Sequence, residues 1–169
     1  MKKFLSVLFL LIFIMGLTAC GKAPAEEKPV PEISEAPVEV KPEETPEQLT
    51  YTVYLPNDNA DGFDEISVSV DEITWEAVLA ELKNRNVLPG GVCINSFSLE
   101  DALITIDFNQ AFADVLCSMG TTGELMIVGS VVNTFLAAYS ADAVCFTVDG
   151  GILESGHTIY DFPLSFISY

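Results

Sequence analysis

Residues 50–169 predict an α+β domain, with helices packed on one face of a mostly antiparallel sheet. Three observations carry that expectation. Five segments are β-branched or alternate with a period of two, and three others space their apolar residues as a helix does. The composition also changes at Thr50, from a Pro/Glu-rich stretch to a sequence that stays globular to the C-terminus. Its length of about 120 residues is the usual size for one domain with one core.

Tyr51–Leu55 is rich in β-formers and reads as the first strand, Asn57–Gly62 as a turn, and the alternating Ile66–Val70 as the second strand. Thr74 is placed to cap a helix whose Trp75, Val78, Leu79 and Leu82 fall at i, i+3, i+4 and i+7. Leu88-Pro89-Gly90-Gly91 stops it. Val92–Leu99 and Ala102–Phe108 follow as two strands joined around Glu100-Asp101. Asn109 then starts a short helix carrying Phe112, Val115 and Leu116, which Gly120 closes.

Thr121-x-x-Glu124 has the spacing of a capping box and opens the longest helix. Leu125, Val128, Val132, Phe135, Leu136 and Tyr139 recur at helical spacing, and Met126, Ile127 and Val131 widen the stripe. Such breadth predicts a helix largely buried against a sheet. Ala143–Val148 is the last expected strand, after which Gly150-Gly151 turns the chain into a tail. The order β-β-α-β-β-α-α-β fixes the class as α+β.

The N-terminus carries a different message. Met1-Lys2-Lys3 precedes an apolar run from Phe4 to Leu17, too short for a spanning helix that needs about 20 apolar residues. Residues 1–19 therefore predict a secretory signal peptide. Leu17-Thr18-Ala19-Cys20 followed by Gly21 resembles the bacterial lipobox, which makes Cys20 the expected lipidation site and mature N-terminus. Two acyl chains there satisfy the two-signal requirement for stable anchoring, placing the protein on the outer face of the cell membrane. From Gly21 to Gln48 come six prolines, eight glutamates, three lysines and no aromatic residue. That segment cannot bury enough apolar area to order itself, so 20–49 is expected to be a disordered tether. Extended as polyproline II, it reaches roughly 80 Å.

Seven Lys+Arg against 25 Asp+Glu give a net charge of −18. Nucleic acid is excluded as a partner, since phosphate binding needs a basic face. Anionic headgroups are repelled as well, so membrane contact is expected through lipid alone. The sequence contains no Gly-x-Ser-x-Gly, Walker, His-Glu-x-x-His or Cys-x-x-Cys motif, and no catalytic residue, cofactor, metal or small-molecule substrate is expected. His157, the single histidine, lies in an expected loop and fits a turn residue bonded to backbone, with partner contact as its alternative. Cys93, Cys117 and Cys145 have apolar neighbours and are expected to be buried free thiols, with a disulfide between two of them as the alternative. Asn57-x-Asn59-x-Asp61-Gly62 imitates the start of a calcium loop, but position twelve is Val68, and a turn explains the composition better.

Taken in order, several of these segments resemble the GerMN domain of sporulation and spore-germination lipoproteins. Tyr51-Thr-Val-Tyr-Leu-Pro56 is similar to its opening strand, and Trp75–Leu82 with Leu88-Pro89-Gly90 to its first helix and exit. Ile104-Thr-Ile-Asp107 with Asn109 and Phe112, Gly123-Glu124, Val132-Asn133-Thr134-Phe135 and Val148-Asp149-Gly150 continue the likeness. The chain departs from the family's namesake in having one such domain rather than two, and Asp71-Glu72 stands where a basic residue is expected.

The resemblance implies a binding or assembly module in the cell envelope, acting in sporulation or germination with an envelope protein as partner, and not an enzyme. A cell-wall-acting enzyme or a peptidoglycan-binding lipoprotein is the alternative. Asn133 and Thr134 are candidate partner contacts, though on so apolar a helix their plainer role is to bond a neighbouring loop or turn. Asp107 is expected to cap the helix that follows it.

Overall fold

The strand and helix signals condense into seven strands and three helices in the computed structural model, which describes residues 48–168. The expected signal peptide, Cys20 and most of the tether lie outside the described residues. β1 (Leu49–Pro56) and β2 (Phe63–Val70) form an antiparallel hairpin, closed by a turn in which Asn57 bonds both the backbone and the side chain of Asp61. Those side chains shape the turn. α1 (Trp75–Asn84) starts as expected, with the Thr74 hydroxyl accepting from the Ala77 amide at 3.2 Å. It stops before Pro89 is reached, because Asn86 adopts a left-handed φ of 61° and the Val87 amide turns back to Leu82.

β3 (Ile94–Glu100) and β4 (Leu103–Phe108) are joined by Asp101-Ala102, both at positive φ, the conformation a two-residue hairpin turn demands. α2 (Gln110–Ser118) and α3 (Thr121–Tyr139) follow, then β5 (Ala143–Val148). The expected tail instead contributes two more strands, β6 (Gly151–Glu154) and β7 (Ile159–Tyr160). Both are too short to leave a periodic signal. Beyond them Leu164 bridges Val144, pairing with the half of β5 that β6 leaves free.

The strands divide into the β1-β2 hairpin and a five-stranded sheet of order β3-β4-β5-β6-β7. Only β4-β5 is parallel, and α2 and α3 form its crossover. α3 contacts both β1 and β5, which explains its breadth of apolar surface: Met126 to Leu136 are all buried. It is apolar and long enough to cross a membrane by composition, yet it is the core helix. Gly129 permits this, since a Cβ there would lie 2.3 Å from the Phe63 ring.

One correction concerns the start of α3. Gly120 is its N-cap, and Thr121 already lies inside the helix with no capping bond. Glu124 does not turn back to close a capping box. It is buried, 2% exposed, and points into the protein.

Candidate interaction face

Alternation along the five strands sorts their side chains onto two faces. Ile104, Ile106, Phe108, Val144, Phe146, Val148, Leu153 and Tyr160 are buried beneath the helices. Phe112 of α2 stacks on Phe108 at 4.1 Å between centroids and meets Phe146 edge-on at 5.7 Å. The opposite face has no helix among the described residues. It presents Thr105, Asp107, Cys145, Thr147, Ile152, Glu154 and Ile159, placed side by side by the pairings Thr105–Cys145, Asp107–Thr147, Thr147–Ile152 and Glu154–Ile159. At its β6-β7 end, Ile152 is 60% exposed, Ile159 54% and Phe162 48%. Cys145, Ile152 and Phe162 line a shallow groove of about 250 Å³ there.

Two carboxylates fix the surroundings of this face. Asp107 accepts from the Thr147 hydroxyl at 2.6 Å, the Gly150 amide at 2.8 Å and the Asn95 carboxamide at 3.1 Å. Those bonds, the Thr147 hydroxyl foremost, hold its pKa below the usual carboxylate range. Asp107 thus secures the β5-β6 turn, where Asp149 and Gly150 both have positive φ, and it does not cap α2 as expected. The Asn109 side chain is also diverted from capping: it bonds Cys93 and Gly91, pinning the loop before β3.

Glu124 does the corresponding work from inside. One carboxylate oxygen accepts from Ser155 at 2.5 Å and from Tyr160 at 2.6 Å, tying the β6-β7 connection to the first turn of α3. A negative charge is favoured at that end of a helix. The other oxygen, Oε2, is buried without a hydrogen-bond partner among the described residues. Burial, followed by the Glu124 carboxylate, raises the Tyr160 phenol above its ordinary pKa.

The residues singled out from sequence separate accordingly. Asn133 is fully buried and clamps the C-terminal segment, donating to the Ile167 carbonyl and accepting from its amide, both at 2.8 Å. Thr134 is equally buried and accepts from the Tyr54 amide at 3.0 Å. Neither side chain has surface to offer a partner; each joins α3 to a neighbouring segment. His157 is exposed in the β6-β7 connection, its ring 3.3 Å from the Met119 carbonyl. Cys93, Cys117 and Cys145 are free, but none is fully buried: Cys93 and Cys117 are exposed because both sit at element ends, and Cys145 is half-buried on the uncovered face. Among the described residues no group of three or more His, Cys, Asp or Glu is placed to hold a metal ion.

Residues 52–154 match the Germane family, described as sporulation and spore germination. The chain belongs to that family. A search of curated proteins returned no match. Among solved structures, the tandem GerMN domains of the sporulation protein GerM from Bacillus subtilis align at 17% identity and a TM-score of 0.51, over 71% of this chain and 45% of that one. The first GerMN domain of the same protein aligns at 19% identity and a TM-score of 0.48, over 69% and 97% of the two chains. A candidate lipoprotein from Clostridium perfringens aligns at 16% identity and a TM-score of 0.48, over 70% and 87%. The Germane match and the tandem GerM structure agree with the α+β fold read from the sequence, and the family is one of sporulation and germination rather than an enzyme class.

Proposed function

We propose that this Germane protein is a lipid-anchored envelope protein whose domain works as a protein-binding module in the assembly of a sporulation or germination complex. The uncovered sheet face carries the reading: Ile152 and Ile159, at 60% and 54%, are the most exposed large apolar side chains among the described residues, and Phe162 beside Ile152 is 48% exposed. Contiguous apolar surface of that kind marks interaction sites. The lipobox at Cys20 and the Pro/Glu-rich tether support an anchored domain held off the membrane. The strong excess of acid opposes binding to nucleic acid or anionic lipid.

Two measurements test this reading. Palmitate labelling of the full chain in cells should be lost on Cys20→Ala, and label retained by that variant contradicts the anchor. Photo-reactive residues at Glu72 in the β2-α1 connection, and at Ser98 and Ile152 toward opposite edges of the uncovered face, should give a discrete protein adduct from at least one during sporulation or germination. Adducts with peptidoglycan alone would favour the wall-binding alternative.

A further inference from the structure

The geometry points to the β6-β7 end of the uncovered face as the docking surface, and to a protein with an apolar contact rimmed by Lys and Arg as its occupant. This rests on the assembly-module reading and specifies its surface and partner. Ile152 and Phe162 line the groove beside Cys145, and the exposed Ile159 stands on the adjoining strand β7, completing the apolar centre. Carboxylates surround it. Glu154 is directly opposite Ile159 in the β6-β7 register, Asp161 lines the groove, and Asp107 and Asp149 stand at the adjoining β5-β6 turn.

No cation answers them among the described residues. The two Lys or Arg side chains there are Lys83 and Arg85 at the end of α1, which packs on α3, and Arg85 is already paired with Glu81 at 2.8 Å; His157, in the β6-β7 connection, sets its ring against the Met119 carbonyl. An apolar centre with an unanswered acidic rim complements a basic-rimmed apolar surface. It disfavours a second copy of this chain, because like rims would face each other, and it disfavours a membrane, whose headgroups share its sign.

The test uses the full-length protein in its own cells, with a photo-reactive phenylalanine analogue at position 152 or 159. The expected result is a discrete heterologous protein adduct at both positions whose joined peptide, identified by mass spectrometry, places Lys or Arg beside apolar residues. Glu154→Lys with Asp161→Lys should lower its yield roughly tenfold. Exchanging the partner's basic residues for Glu should restore it. Both substituted residues are exposed, and the unfolding midpoint of each variant verifies the fold.

Several results overturn the inference. These are an adduct with a second copy of this chain, with lipid or with peptidoglycan, a partner peptide without basic residues, or a yield unchanged by charge reversal. A protein adduct from Glu72 or Ser98 but not from 152 or 159 rejects this surface and leaves the module reading standing. Absence of protein adducts from every position rejects both.

Discussion

The two faces of the five-stranded sheet are made from the same strands and differ in almost every physical respect. The covered face is a closed aromatic and aliphatic core under α2 and α3. The uncovered face mixes hydroxyls and carboxylates with two isoleucines that remain more than half exposed. Each face also has its own carboxylate latch. Asp107 lies on the open side, where both oxygens find partners; Glu124 lies inside, with one oxygen doubly bonded and the other left without a partner. The contrast separates duties: the covered face holds the fold, and the uncovered face is free to be recognised.

The largest expected effect comes from breaking the covered face. Phe112→Ala removes a fully buried ring from contact with Phe108 and Phe146 and should cost about 3–5 kcal/mol in a denaturant titration. Next comes the buried latch. Tyr160→Phe removes one of the two donors to the Glu124 oxygen and should cost about 1.5–3 kcal/mol, the range for a bond to a charged group. Because the Tyr160 pKa is raised on folding, its contribution is complete below the free phenol value of about 10 and fades as the pH climbs above it. The phenylalanine variant should lack that alkaline component.

Asn133→Ala should have a more local effect. Both of its bonds go to Ile167, so amide exchange at Ile167 should quicken strongly while the sheet amides keep their protection. The smallest effect belongs to the exposed latch. The Asp107 pKa is lowered on folding, so its contribution is present above about pH 4 and is lost as the pH falls through the depressed value. Asp107→Asn should therefore flatten the acid limb of the stability profile: the variant is modestly less stable than the parent near neutrality and converges on it as the pH falls through the depressed value.

Much of the covered face was legible in the sequence. Helical spacing located all three helices, and alternation located β1 to β5 to within a few residues, because burial imposes those periods. The Asn133 and Thr134 polar groups on an apolar helix were recognisable as internal bonds waiting for partners, although Ile167 and Tyr54 lie 34 and 80 positions away. The uncovered face was not legible in this way. β6 and β7 together contain six residues, too few for a period, and their pairing depends on where β5 leaves an edge. Glu124 shows the same limit. Thr121-x-x-Glu124 satisfies a local rule, but the hydroxyls of Ser155 and Tyr160 reach the carboxylate through the tertiary fold and outweigh it. Asp107 likewise trades an expected helix cap for the β5-β6 turn.

The most direct measurement of this division of labour compares stability and function in one variant, Ile152→Lys with Ile159→Lys. Both side chains are exposed, and lysine can pair with neighbouring Glu154, so the unfolding free energy should stay within about 1 kcal/mol of the parent. Sporulation and germination efficiency should nonetheless fall to that of a strain lacking the protein. A variant that folds normally and supports both processes at the parental level would contradict the assignment of function to the uncovered face.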